Sequence, residues 1–121
     1  MLQILHVDRS ELFRKVMQEI ILRCGHSVKS VATKQEALAY IAQQSVDLII
    51  TAMEFNDGDA ESFILDLPQA SKKDIPVVVV TSNDSLELRE RLFSLGVVDY
   101  ILKSEVNEDH FKHFFTTLSA E

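Results

Sequence analysis

Polar residues with the chemistry of a binding site follow four separate apolar runs of the sequence. In chain order they are Asp8 and Arg9, Thr51 and Ala52, Thr81 and Ser82, and Lys103. If the four runs are neighbouring parallel strands, their carboxyl ends meet at one edge of the sheet, where ligands of such folds bind. There the ammonium of Lys103 and the carboxylate of Asp8 are expected to form an ion pair, with Arg9 turned outward to solvent.

An acidic loop lies between the second and third of these groups. Glu54, Asp57 and Asp59, together with Asp8, have the oxygen ligands that a divalent cation prefers. However, Asn-Asp-Gly at 56–58 is a turn signal, and Asp59 is a good N-cap for a following helix. A polar turn with a helix cap is therefore favoured over a metal site.

The histidines have plain interpretations. His110 and His113 are three residues apart on a predicted helix, and two ligands without a nearby acid or cysteine make a poor metal site. A solvated helix face is favoured for both. His6 lies inside the first predicted strand, where a packed and hydrogen-bonded histidine is expected.

The composition limits the class of protein. The chain has 121 residues, of which 46% are apolar and 26% charged, typical of one globular domain over residues 1–121. Its 12 Lys and Arg residues face 19 Asp and Glu residues, which disfavours direct binding to DNA or RNA. Cys24 is the single cysteine, so a reducing, cytoplasmic compartment is favoured. No apolar stretch approaches the ~18 residues of a membrane span, and no signal peptide is expected.

The hydrophobic pattern predicts alternating strands and helices. After a first strand, apolar residues recur from Ser10 at three- and four-residue steps, which predicts an amphipathic helix. Gly25 and Gly96 are expected to follow the ends of two helices, and Pro68 to end the helix that Asp59 caps. The other predicted strands cover 26–32, 46–51, 75–81 and 97–102, and the other helices cover 33–44, 85–95 and 108–118.

Five strands that alternate with five helices predict an α/β fold. Such alternation gives right-handed crossovers and a doubly wound five-stranded parallel sheet, with the expected strand order 2-1-3-4-5. The runs 46–51 and 75–81 are almost entirely apolar or β-branched, which is typical of central strands covered on both faces. The functional crevice of such a sheet lies beside the point where the strand order reverses.

Four segments carry a recognisable pattern: Ile4–Ser10 followed by Arg14, Asp47–Ala52, Pro76–Ser82 and Gly96–Lys103. Together they resemble the receiver domain of bacterial two-component response regulators, over essentially the whole chain. The resemblance implies the flavodoxin-like (βα)5 fold of that family. It places Ala52 at the phosphoacceptor position, Thr81 and Tyr100 at the switch positions, and Lys103 at the position that recognises phosphate.

The pattern departs from that of receivers that accept phosphate. In those proteins an aspartate stands at the position of Ala52, a second acid at that of Arg9, and usually a proline at that of Ser104. Aspartyl phosphorylation needs a carboxylate nucleophile, and Mg²⁺ typically needs one or two carboxylates. Ala52 supplies no nucleophile, and Arg9 places a positive charge in the remnant acidic pocket of Asp8 and Glu54. The resemblance therefore implies a degenerate receiver that is not an enzyme, is not phosphorylated, and binds Mg²⁺ weakly or not at all.

A protein that performs no chemistry must act through its contacts. The preferred hypothesis is a regulatory protein–protein interaction module in bacterial two-component or cyclic-di-GMP signalling, with protein partners or an attached output domain. The resemblance implies a contact face on helix four, strand five and helix five, through which a weak homodimer would also form. We expect that face to carry Arg89, Arg91, Asp99 and Phe111.

Two other functions stay open from the sequence. One is an active receiver that is phosphorylated on a different acid, such as Asp57, Glu54 or Asp8. The other is a small flavodoxin-like domain that binds a ligand at the switch point. The second has less support, because no glycine-rich phosphate loop follows the first strand.

Overall fold

A five-stranded parallel sheet forms the centre of the structure, a computed structural model that describes residues 1–119. Its strands run in the order 2-1-3-4-5, and all neighbouring strands are parallel, which confirms the predicted doubly wound sheet. The strands are β1 (Gln3–Val7), β2 (Ser27–Val31), β3 (Leu48–Thr51), β4 (Val77–Thr81) and β5 (Asp99–Leu102). The helices are α1 (Glu11–Arg23), α2 (Lys34–Gln43), α3 (Ala60–Ala70), α4 (Leu86–Ser94) and α5 (Glu108–Ser119).

The two faces of the sheet carry two separate apolar cores. On one face, Leu5 and Ile49 belong to a cluster with residues of α2, α3 and α4, among them Phe63. On the other face, Ile50 belongs to a cluster with residues of α1 and α5. Every residue of β3 and β4 is buried, as expected for central strands covered on both faces. None of the helices within residues 1–119 is long and apolar enough to cross a membrane.

Phe111 is a core residue of the second face. Only 1% of its surface is exposed, and its ring centroid lies 5.7 Å from that of Phe115. Positions 111 and 115 are one helical turn apart, so both side chains of α5 point toward the sheet. The prediction that Phe111 belongs to an exposed contact face is therefore wrong.

Helix ends follow the predicted capping residues. Gly25 and Gly96 have φ angles of +87° and +102°, in the left-handed region that favours glycine after a helix. At the start of α3, the Asp59 carboxylate accepts a hydrogen bond from the Ser62 N–H at 2.8 Å. The Ser62 hydroxyl oxygen accepts one from the Asp59 N–H at 3.2 Å, which completes a capping box.

Helix α3 continues past Pro68 to Ala70, so the prediction that Pro68 ends this helix is wrong. A proline has no N–H to donate to the carbonyl of residue i−4, which here is Ile64. Pro68 removes this one hydrogen bond, and only Gln69 and Ala70 of the helix follow it, so little of α3 is disturbed. Ser71 caps the end of the helix, and its N–H still donates to the Leu67 carbonyl at 3.0 Å.

The position of Pro68 leads to a stability prediction. We expect Pro68→Ala to stabilise the domain by about 1 kcal/mol. A helical proline costs up to about 3 kcal/mol in a helix interior and less in a last turn, while its stiffening of the unfolded chain offsets about 0.4–1 kcal/mol. Urea denaturation measures the difference, with the neighbouring Gln69→Ala as the control. A Pro68→Ala variant no more stable than its control would contradict the prediction.

Candidate functional site

A pocket of about 310 Å³ opens at the carboxyl edge of the sheet. Of the residues predicted for the site, it is lined by Asp8, Arg9, Ala52, Glu54, Thr81 and Lys103. They come from the ends of β1, β3, β4 and β5, which the parallel topology brings to one edge. The structure therefore brings together the strand-end residues that the sequence places in one crevice.

An ion pair closes the inner end of the pocket. The Lys103 Nζ lies 2.9 Å from Asp8 Oδ2, as predicted, although the contact lacks the alignment of a hydrogen bond. Asp8 Oδ1 accepts a hydrogen bond from the Ser10 N–H at 2.8 Å, so both carboxylate oxygens are engaged. Lys103 also lies 4.4 Å from the ring centroid of Phe13, a cation–π contact. The Asp8 side chain is only 2% exposed, so removal of the lysine would leave a buried, unpaired charge.

A second ion pair lies at the mouth of the pocket. The Arg9 guanidinium reaches to 4.0 Å from the carboxylate of Glu54, and both side chains are more than half exposed. Arg9 therefore turns outward, as predicted. Exposed pairs of this kind contribute about 0–1 kcal/mol, so this contact is weak and opens easily.

The donor set of the pocket does not fit Mg²⁺. The cation prefers one or two available carboxylates with several waters. Here Asp8 is paired with Lys103 and Glu54 with Arg9, while Ala52 presents a methyl group that is 6% exposed. The four charged side chains that line the pocket balance one another, so little net negative charge is left to attract a divalent cation.

Comparison with known proteins assigns the chain to a family. The family described as "Response regulator receiver domain" matches residues 4–114. The chain belongs to this family.

The similar curated proteins are longer than this receiver domain. The two-component response regulator-like PRR37 of Oryza sativa is 27% identical over 105 residues, which cover 84% of this chain and 14% of that protein. The gliding motility regulatory protein of Myxococcus xanthus is 29% identical over 108 residues, which cover 87% and 14%. The heme response regulator HssR of Staphylococcus haemolyticus is 34% identical over 80 residues, which cover 64% and 34%.

Solved structures show the same fold. A two-component response regulator from Clostridium difficile has a TM-score of 0.89 at 18% identity, over 100% of this chain and 98% of that one. A CheY-like receiver domain protein from Methanospirillum hungatei has a TM-score of 0.86 at 23% identity, over 99% and 95%. These likenesses establish the flavodoxin-like receiver fold.

The backbone of Asn83 links Thr81 and Tyr100, the two residues that the resemblance places at the switch positions. The N–H of Asn83 donates to the Thr81 hydroxyl oxygen at 3.1 Å, and the Tyr100 hydroxyl donates to the Asn83 carbonyl at 2.6 Å. Thr81 and Tyr100 are both 6% exposed, and burial raises the pKa of the Tyr100 hydroxyl. The guanidinium of Arg89 lies 5.8 Å from the Tyr100 ring centroid. A shift of the loop after β4 would therefore move both residues.

The acidic loop is a polar turn, as predicted. Residues 54–55 and 58–59 form a short antiparallel pair, and Asp57 lies in the turn between them. The Asp57 carboxylate accepts hydrogen bonds from the N–H groups of Lys34 and Gln35, both at 2.9 Å, so it caps α2. These bonds lower the pKa of Asp57 and direct its side chain away from the pocket. Sequence reasoning missed this role, because the cap and the helix are more than 20 residues apart.

His6 is packed as predicted, but it lacks the predicted hydrogen bond at one nitrogen. It is 1% exposed, and its Nδ1 has no partner within residues 1–119. Its ring centroid lies 6.1 Å from that of Phe13. Burial lowers the pKa of His6 from 6.5 to about 4; Asp8 opposes this shift, while Lys103 and Arg14 add to it. His6 is therefore neutral at neutral pH.

The charges predicted for a contact face lie on two surfaces. Arg91 binds both carboxylate oxygens of Glu61 in α3, whereas Arg89 lies against Tyr100 of β5. The prediction for Arg91 is wrong, because residues two apart in a helix point in different directions. Asp99 lies 3.4 Å from the ring of the exposed His110, so it stays on the β5–α5 side together with Arg89.

The buried His6 predicts a specific loss of stability in acid. The pKa of His6 is lower in the folded state than in the unfolded state. The contribution of His6 to the free energy of unfolding is therefore fully present above pH 6.5 and is lost as the pH falls through about 4. At about 1.4 kcal/mol per pH unit the loss is about 3 kcal/mol. Urea denaturation between these pH values measures it. In His6→Val this part of the pH dependence of stability should disappear, while the part that comes from the carboxylates stays. An unchanged pH dependence in His6→Val would show that His6 is not its origin.

Proposed function

We propose that this receiver domain is not phosphorylated and acts as a regulatory protein–protein interaction module. The observation that carries the proposal is the pairing of the charged groups around Ala52: Asp8 with Lys103, and Arg9 with Glu54. In such a domain a partner selects between conformations for which it has different affinities. The domain performs no chemistry of its own and uses no cofactor.

The positions of the acids disfavour phosphorylation at a substitute residue. Formation of an acyl phosphate requires a carboxylate oxygen to attack phosphorus while the bond to the leaving group breaks. Asp57 is held by the start of α2, outside the pocket lining. Asp8 has both oxygens engaged, and Glu54 is exposed at the mouth beside Arg9. None of the three offers an unpaired carboxylate inside the pocket.

We place the domain in two-component or cyclic-di-GMP signalling in a bacterial cytoplasm, as one receiver unit over residues 1–121. The names of the similar response regulators support two-component signalling, and two of these proteins are from Myxococcus and Staphylococcus. The chain spans 14–34% of those relatives. An output domain in the same polypeptide, or a separate protein, is therefore the proposed partner.

The proposed contact surface runs along α4 and the start of β5. Three apolar side chains are exposed there: Leu86 at 66%, Phe93 at 39% and Val98 at 51%. A groove of about 340 Å³ is lined by Arg89 and Asp99 among others, and the Arg89 guanidinium lies 5.8 Å from the ring centroid of Phe93. A few apolar anchors among mixed charges suit a modest interface rather than an obligate one. Because Tyr100 lies in this groove and bonds to Asn83 of the pocket, a partner here would also affect the pocket.

The proposal predicts no reaction with a phosphoryl donor. We expect the wild type, incubated with acetyl phosphate and Mg²⁺, to gain no phosphoryl group by intact mass spectrometry. The matched control is Ala52→Asp/Arg9→Asp, which restores the nucleophile and the second acid while Lys103 and Thr81 stay in place; it should be modified. A stoichiometric gain in the wild type would refute the proposal. No gain in the double variant would show that these two positions do not account for the loss.

The contact surface predicts a face-specific effect on association. Leu86→Arg should weaken self-association in sedimentation experiments at least about tenfold, because it places a charge among the apolar anchors. Leu65→Arg, at a leucine 57% exposed on α3, is the control and should have no effect. Equal effects of both variants would show that the face is wrong. A wild type that stays monomeric at all concentrations would exclude the homodimer.

A further inference from the structure

Three buried polar atoms of the described residues lack a hydrogen-bond partner: His6 Nδ1, Asp8 Oδ2 and Ser30 Oγ. They belong to one region of the sheet. His6 and Asp8 are two residues apart on extended chain, so their side chains share a face of the sheet. Ser30 of β2 is the register partner of His6. The sheet thus carries a polar cluster on its α1 side, and one member of the cluster, Asp8, is the partner of Lys103.

The charges around this cluster are few. His6 is influenced by three charged groups: Asp8 on its own strand, Lys103 after β5, and Arg14 on α1. Arg14 Nη1 donates to the backbone carbonyl of Asp8 at 2.6 Å, not to its carboxylate. Lys103 is thus the one cation within 4.0 Å of the Asp8 carboxylate in residues 1–119.

Lys103 is also the member of the pair that can leave. Its side chain is 24% exposed on a flexible stem at the pocket, whereas that of Asp8 is 2% exposed. A partner that offers an acidic group to the pocket would draw the ammonium outward. The Asp8 carboxylate would then be buried without a counter-charge, which is strongly unfavourable.

We propose that His6 is the reserve counter-ion of Asp8, and that it takes up a proton when Lys103 leaves. The proposal rests on the proposed function, in which partner binding sets the state of the pocket. The His6 imidazole gains one proton from solvent, so that both ring nitrogens carry hydrogens. The cluster loses one ammonium charge and gains one imidazolium charge, and its net charge is unchanged. Partner binding at Lys103 would thereby depend on pH.

The direction of the pKa change follows from the same contacts. With Lys103 in place, the pKa of His6 is lowered to about 4, mainly by burial; Asp8 opposes the shift, and Lys103 and Arg14 increase it. Withdrawal of Lys103 removes a positive charge that repels the imidazolium of His6. The negative charge of Asp8, no longer neutralised by Lys103, then attracts the imidazolium more strongly. Both changes favour the imidazolium, so the pKa of His6 must rise.

Histidine ring NMR tests this inference. The titration midpoint of His6 is followed in protein labelled with ¹³C-histidine, and its signal is assigned among the 4 histidines by its loss in His6→Gln. In Lys103→Met we expect the midpoint to rise by about two pH units, a roughly 100-fold gain in proton affinity. Lys103→Arg keeps the cation and should keep the low midpoint. In Lys103→Met/Asp8→Asn the anion is absent too, and the midpoint should be low again.

Two results would overturn the proposal. One is an unchanged His6 midpoint in Lys103→Met, which would mean that Arg14 or protonation of Asp8 compensates for the lost ammonium. The other is an equal rise in the double variant, which would show that Asp8 is not responsible. If Lys103→Met does not fold, Lys103→Gln, which retains a polar side chain, takes its place with the same expected rise. No phosphoryl donor is used, so failure here is distinct from failure of the acetyl phosphate experiment.

Discussion

The ion pair of Asp8 and Lys103 is the contact on which the pocket depends. A carboxylate buried at the end of β1 needs a counter-charge, and the lysine supplies it from beyond β5, with β3 and β4 between. The pair therefore joins the centre of the sheet to its edge. The ring of Phe13 in α1 lies against the same ammonium, so three elements meet at one charge. The small side chains of Ala52 and Thr81 leave the pocket open between them.

The two ion pairs of the pocket differ in strength. The inner pair is desolvated and difficult to break, whereas the outer pair of Arg9 and Glu54 is exposed and contributes little. The mouth can thus rearrange at little cost, whereas the base would open only if Lys103 left Asp8 for another acid. A change in the loop after β4 has a path outward, because Asn83 lines the pocket and accepts a hydrogen bond from Tyr100, which lies against Arg89 of α4.

The sequence predicts features that depend on neighbouring residues or on repeated patterns. The strand order, the cap at Asp59 and the Asp8–Lys103 pair follow from periodicity, turn residues and strand ends. Features that depend on tertiary packing were missed. Phe111 faces the core because of the rotation of α5 against the sheet. Helix α3 tolerates Pro68 because the missing hydrogen bond lies in its last turn. The role of Asp57 depends on a helix that precedes it by more than 20 residues.

The cap that Asp57 places on α2 has a consequence for the order of folding. Two N–H groups at the start of this helix find their acceptor only after the chain has passed through β3 and turned back. Until then α2 has only its local cap at Thr33, and an isolated helix of 10 residues is marginal in water. We therefore expect the helix to become stable together with the hairpin of residues 54–59, as one cooperative unit. An insertion between residues 52 and 57 would displace the cap, so the length of this loop is constrained by a helix that comes earlier in the chain.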